Sequence, residues 1–323
     1  LPISTFTLFD ASRINNETIV DIGFGGHYDD NPNKASGHHI ILTDTGNVYI
    51  WGANNRGQLG LGDKNTRTTP TLLTTNGLYN GEPVIKVFAG PEHTAFITRN
   101  QVTLETSLYT FGRNVNGQLG IGTTTDAVLP QLVSRSSYGN KNIADMFLSL
   151  HNTAILTEDG SLYMAGSNYS YQMTDGVQFG GFISTFREVT KVGKIQKVVL
   201  GQDHTIVIDL QGYVYGMGQN RFGQLGLPIN PVKPNESNKI KLPTPILSGT
   251  KAKFVAVGED QTFVYTENNQ LYAIGRNHYQ QLGLDNGSTA NVDTVTLVPA
   301  AHYGNQILES VSPGNDSTAF FTV

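Results

Sequence analysis

The residues best able to do chemistry in this chain recur. His39, His93, His151 and His204 each stand where a corner turns into a new apolar run, as in Gly90-Pro91-Glu92-His93-Thr94 and Gly201-Gln202-Asp203-His204-Thr205. A recurring imidazole can be a metal ligand, a general base or a buried donor. Residues holding one place in successive copies of a long unit lie a unit's width apart, too far to share a metal at about 2 Å. The expectation is therefore structural, with each His donating to a corner carbonyl in its own unit. Acids precede these histidines. Glu92, Asp203, Glu259 with Asp260, and Asp316 occupy one corner of four units, and Asp29 with Asp30 the corner of the first. Corners gathered on one face would add their charges into a negative mouth suited to a cationic partner. The competing reading is local, because Asp and Asn fill tight turns by bonding their own backbone.

Three irregular stretches could also carry function. The first corner is stretched from Gly25 to His39, and a long loop on a rigid scaffold is a functional hint; its His27, Asp29, Asp30, His38 and His39 are a conceivable cation set. The third unit reads SNYSYQMTDGVQFGGF, offering Tyr169, Tyr171 and Phe179 either as an aromatic hot spot or as local repacking. The fourth has a Pro-rich outer loop from Leu227 that reads as a spacer. The chain has no Cys, and no phosphate-cradling, nucleophile-elbow or metalloprotease motif is present. No catalytic residue, metal or cofactor is assigned, and the chain reads as a binding protein.

The elements that must position these residues are repeats. Gly46 to Gly62 reads GNVYIWGANNRGQLGLG, a short aromatic and β-branched run stopped by Gly52 and followed by a loop too glycine-rich for a helix. Gln58 and Leu59 are expected to pack that loop back onto the strand. The run returns at Leu108, Leu162, Val214 and Leu271, and its stopping glycines are Gly52, Gly112, Gly166, Gly218 and Gly275. Upstream of each lies a second element of strand, corner and strand, such as VFAGPEHTAFIT from Val87, with a last copy, VSPGNDSTAFFTV, ending at Val323. Several units then end in a Pro-led outer strand such as LPQLV from Leu129. Four short strands per unit is the pattern of a propeller blade, whose meander cannot bury both faces alone. Six units are counted over a single domain, residues 1–323. Leu1 to Asp10 is expected to complete the blade that the C-terminus begins, as its third or fourth strand, and so to close the ring.

Composition agrees with many strands and turns: 36 Gly in 323 residues and only 15% charged. The formal charge of -5, with no Lys/Arg cluster, argues against direct nucleic-acid binding. No stretch approaches the roughly 18 apolar residues of a membrane span. A chain starting at Leu1 without an initiator Met or a signal-like run is expected to be processed or trimmed, and the residues leave its compartment open.

The pattern G-x-V-Y-x-W-G-x-N-x-x-G-Q-L-G-L-G at Gly46 to Gly62, with an upstream G-x-x-H-T, resembles the repeat of the regulator of chromosome condensation family, and the resemblance covers nearly the whole chain. It implies an all-β, six-bladed β-propeller of that type, where the best-known members have seven blades. Members include a nucleotide exchange factor for the small GTPase Ran, scaffolding modules and a bacterial β-lactamase inhibitor. From the exchange factor, the resemblance carries partner contacts onto Glu92, His93, His151, Asp203, His204, Glu259 and Asp260; nothing here clearly supplies its β-wedge. The implied function is a non-catalytic module, a monomer, that engages a protein partner, a small GTPase foremost. The alternative is a protein inhibitor or scaffold with an unrelated, extracellular target.

Overall fold

The computed structural model describes residues 10–26, 37–73, 81–173, 181–229, 239–247, 249–285, 287–314 and 317–323. Their strands form six antiparallel sheets, each a meander in which chain neighbours pair. Sheet 1 holds β1 (Ile19–Gly25), β2 (His38–Thr43), β3 (Val48–Gly52) and β4 (Arg67–Leu72), and sheet 2 holds β5 (Val84–Ala89), β6 (His93–Arg99), β7 (Thr106–Gly112) and β8 (Ala127–Leu132). Sheet 3 is β9 (Ile143–Leu148), β10 (Asn152–Thr157), β11 (Leu162–Ser167) and β12 (Phe182–Val189). Sheet 4 is β13 (Ile195–Leu200), β14 (His204–Asp209), β15 (Val214–Gln219) and β16 (Lys239–Pro245). Sheet 5 is β17 (Ala252–Val257), β18 (Gln261–Thr266), β19 (Leu271–Gly275) and β20 (Val292–Val298); sheet 6 pairs β21 (Leu308–Pro313) with β22 (Thr318–Thr322). The expected closing segment, Leu1 to Asp10, lies outside the described residues except for Asp10.

The burial pattern explains the sequence pattern. The second strand of sheets 3, 4 and 5 is buried along its whole length, so both of its faces meet other side chains and it reads as an unbroken run such as HTIVID. The first strand buries its first and fourth residues, as with Val84 and Val87 or Ile195 and Val198. Strict alternation would send such a pair to opposite faces. A register shift after the first residue, between Val84 and Lys86 and again between Ile195 and Lys197, inserts the extra residue that brings both inward.

Two compact units divide the chain, one of Leu1–Arg113 with Asp126–Leu132 and one of Asn114–Thr125 with Val133–Val323. Sheets 1 and 2 belong to the first. In the second, core clusters form between consecutive sheets: Met164, Val198 and Met217 join sheets 3 and 4, Ile206, Val255 and Ile274 join 4 and 5, and Phe263, Leu271 and Val311 join 5 and 6. Each fully buried aliphatic or aromatic side chain contributes about 1.5–3 kcal/mol, so each sheet depends on a neighbour.

Candidate functional site

In each four-stranded sheet, the corner between the first two strands lies against the glycine at or one residue before the end of the third. The corner carbonyls of Gly37, Glu92, His151, Asp203 and Asp260 accept the backbone N–H of Ala53, Arg113, Ser167, Gln219 and Arg276 at 2.8–3.0 Å. A Cβ on Gly166 would stand 2.1 Å from the His151 carbonyl, and one on Gly275 2.2 Å from that of Asp260. Close backbone approach, together with φ values of 122° and 112°, is why these positions hold glycine.

These bonds revise the expected alignment. His93 pairs with Gly112, His204 with Gly218 and His38 with Gly52, so the first-unit member of the recurring histidines is His38, and not His39. Asn152 holds the place in sheet 3 and Gln261 in sheet 5, facing Gly166 and Gly275. His151 stands one residue earlier, in the column of Glu92, Asp203 and Asp260. For His151 the signal was in the sequence: the Thr that follows the register position, at Thr94, Thr153, Thr205 and Thr262, marks it in sheets 2 to 5, whereas sheet 1 has His39 there.

Nor do His38 and His204 direct Nε2 to a carbonyl in their own sheet. His38 Nε2 lies 2.7 Å from Thr94 Oγ1 in sheet 2, and His204 Nε2 lies 3.1 Å from Thr262 Oγ1 in sheet 5. Each threonine hydroxyl donates onward, Thr94 to the Gln58 carbonyl at 2.7 Å and Thr262 to that of Gln224 at 2.8 Å. With its one proton committed, the hydroxyl can only accept from the ring, so the imidazoles are Nε2–H tautomers. Burial pushes His38 and His93 down to about 3 and His204 to about 4, because a charged ring would lose its hydration.

The glycine-rich loops pack back onto their own strand as expected, with Leu225 Cδ2 2.8 Å from where a Cβ on Gly216 would stand and Leu282 clustered with Leu271 and Ala273, and they also reach outward. Gly62 N–H donates to Val128 of β8, and Gly122 N–H to Ser184 of β12. Within each loop an Asn side chain closes the turn: Asn54, Asn114, Asn168, Asn220 and Asn277 accept the N–H of the residue five positions on at 2.8–3.2 Å. A Gln four places after the Asn, such as Gln58, Gln224 or Gln281, accepts the N–H two residues before it at 2.9 Å. The third unit keeps this frame, with Gln172 accepting from Ser170 at 3.0 Å and Tyr171 at φ 61° where Gly57 stands at 84°. Tyr171 is accordingly half-buried, whereas Tyr169 is 53% exposed and meets Phe182 edge-on at 5.1 Å.

One corner acid is neutralised by arginine. Glu92 is buried and takes Arg113 Nη1 at 2.5 Å, with Arg56 Nε at 3.9 Å; Arg56 also lies 3.7 Å from Asp126. Asp203 faces His151 Nδ1 at 3.7 Å. Asp260 is buried, accepts a 3.4 Å bond from Gln224 and is pushed up to about 6 by desolvation, against the pull of Arg221 and Arg276. Of these corner acids, Glu92 is thus offset by arginine, whereas Asp203 faces a histidine and Asp260 has no arginine within 4.0 Å among the described residues. Asp29 and Asp30, with Asp316, Phe179 and His27, lie outside the described residues. His39 sits 5.5 Å from Phe24 and 5.0 Å from Trp51, ring to ring, and His38 is occupied by Thr94. Among the described residues no three His, Asp or Glu side chains group as a metal site, and no helix is long and apolar enough to cross a membrane.

Comparison with known proteins follows this geometry. The model of the RCC1-like domain matches residues 14–322. The Arabidopsis thaliana ultraviolet-B receptor UVR8 is 30% identical over 247 residues, covering 76% of this chain and 53% of that protein. The X-linked retinitis pigmentosa GTPase regulator of Canis lupus familiaris is 30% identical over 338 residues, covering 88% of this chain and 32% of the other. The human regulator of chromosome condensation is 27% identical, covering 87% and 67%. The chain therefore spans only about half, or a third, of the length of the first two relatives. Among solved structures, yeast RCC1 (Prp20) bound to Kap60 superposes with a TM-score of 0.72 at 18% identity, covering 94% of this chain and 67% of that one. The likeness shows the fold, an all-β propeller of this type, and the six sheets agree with six blades.

Proposed function

The chain belongs to the RCC1-like domain family, and from that membership we propose that it is a non-catalytic protein-binding propeller that engages and regulates a small GTPase through the corner ends of its sheets. The observation that carries this reading is the alignment of 88% of the chain with a relative named as a GTPase regulator, joined to corners held by backbone and side-chain bonds in every four-stranded sheet. The half-buried corner groups Asp203, Glu259 and His151, with the exposed loop residue Tyr169, are the proposed contacts. The buried groups Glu92, His93, His204 and Asp260 position them. A protein of this kind accelerates nucleotide release by binding the nucleotide-free GTPase more tightly than the loaded one; linkage then lowers nucleotide affinity by the same factor. The test mixes the protein with Ran, Rab and Rap GTPases loaded with fluorescent GDP. Accelerated release from one of them is expected, and neither release nor binding across the panel would overturn the proposal.

A further inference from the structure

One loop position changes character along the chain while its backbone does not. The residue whose N–H is held by the loop glutamine is Arg56, Asn116 and Ser170 in sheets 1, 2 and 3, but Phe222 in sheet 4 and Tyr279 in sheet 5. Two arginines surround these rings. Arg221 lies 4.4 Å from the Phe222 centroid, and Arg276 lies 5.8 Å from Phe222 and 5.9 Å from Tyr279. His278 meets Phe222 edge-on at 6.1 Å, and Tyr279 is 63% exposed.

The arginines differ from their counterpart in sheet 2. Arg113 follows its strand-ending glycine as Arg276 does, and the corner acid Glu92 takes its guanidinium at 2.5 Å. In sheet 5 the corner acid is Asp260, one methylene shorter and turned toward Gln224. Among the described residues, neither Arg221 nor Arg276 has a carboxylate within 4.0 Å. A guanidinium stacked on an aromatic ring keeps its donor edge free and pre-oriented for a carboxylate, and arginine beside tyrosine or phenylalanine is the composition of binding hot spots.

We propose that Arg221, Phe222, Arg276 and Tyr279 form a docking surface for an acidic segment of a protein partner, its carboxylates taken by the two guanidiniums and its apolar atoms by the two rings. This rests on the reading that the corner ends bind protein, and it gives sheets 4 and 5 the opposite charge preference from that of free corner acids.

The test titrates the whole chain with N-acetyl hexaglutamate amide at low salt and follows the arginine Nε–Hε resonances by NMR. Saturable shifts at Arg221 and Arg276 at about millimolar concentration are expected, with Arg113 unmoved. Arg276→Lys should weaken binding about tenfold, since an ammonium lacks the planar fork. Arg221→Ala with Arg276→Ala should abolish it, and if that pair unfolds the chain, the two Lys variants decide. No shift up to about 10 mM, or equal shifts at Arg113, would overturn the proposal. So would inorganic phosphate moving the same resonances at a tenth of the concentration, which would make this a phosphate site. Because the peptide is read without a GTPase, absence of exchange activity leaves the docking surface standing. A GTPase that binds equally well to the double Ala variant leaves the functional reading standing without it.

Discussion

Substituting His204→Gln should remove a pH dependence of stability that the wild-type ring imposes. The ring is fully buried, its Nε2–H is committed to Thr262, and its pKa falls from 6.5 to about 4. In the unfolded chain it takes a proton near pH 6.5; in the folded chain it resists until about pH 4. The folded-state pKa is depressed, so the stabilisation is fully present above the unfolded value and is lost as pH falls toward the folded one. At pH 5 the loss amounts to about 2 kcal/mol, approaching about 3 kcal/mol below pH 4, at 1.36 kcal/mol per pH unit. His38 and His93, pushed down to about 3, add about 2 kcal/mol each at pH 5. Together this is comparable with a typical total stability of roughly 5–15 kcal/mol. Gln already occupies this register at Gln261 and cannot titrate. Urea denaturation at pH 7.5 and 5.0 should therefore show the variant losing about 2 kcal/mol less than the wild type on acidification. Parallel losses in the two proteins would refute the argument that the buried ring carries the effect.

Asp260→Asn should act in the opposite sense. The acid is raised from 3.8 to about 6, so the burden of its buried charge grows as pH rises through that range, and the variant should gain about 2 kcal/mol over wild type between pH 4 and pH 8; a stability difference independent of pH would contradict this. Gly120→Ala places a Cβ 2.2 Å from the Phe186 ring at φ 69°, and should cost about 1–3 kcal/mol in thermal or urea unfolding, whereas Gly46→Ala, with nothing within 4 Å at φ 82°, pays only the backbone penalty of about 1 kcal/mol.

Most of the fold was legible because its signals are local. Each strand is a short β-branched or aromatic run, each stop is a glycine, and Val48 to Gly52 together with Leu108 to Gly112 repeat that grammar openly. The site was less legible because its decisive distances join residues remote in sequence. The one-residue error at His39 and His151 arose from matching residue type, where corner length varies; the threonines of the second strand hold the register in sheets 2 to 5, and in sheet 1, where His39 stands in their place, the pairing of His38 with Gly52 sets it. The pairing of Glu92 with Arg113 could not be inferred from the corner alone, since the arginine stands 21 residues on and reaches the corner only once β6 and β7 have paired. The contrast between Glu92 and Asp260 differs by one methylene, invisible to any count of charges, yet it leaves Arg276 without a carboxylate partner. Tyr171 looked like an exposed aromatic until the conserved geometry of the Asn168 and Gln172 turn placed it at a left-handed position normally given to glycine.

The engagement of a GTPase by corner ends is tested most directly by hydrogen exchange on the whole chain with and without the nucleotide-free GTPase. Slowed exchange is predicted in the corner segments 149–153, 201–205 and 258–262 and in the loops at 168–172, 220–224 and 277–281, with the hairpins at 157–161 and 266–270, at the other end of their sheets, unchanged. Slowing confined to those hairpins, or no change anywhere at saturating GTPase, would contradict it.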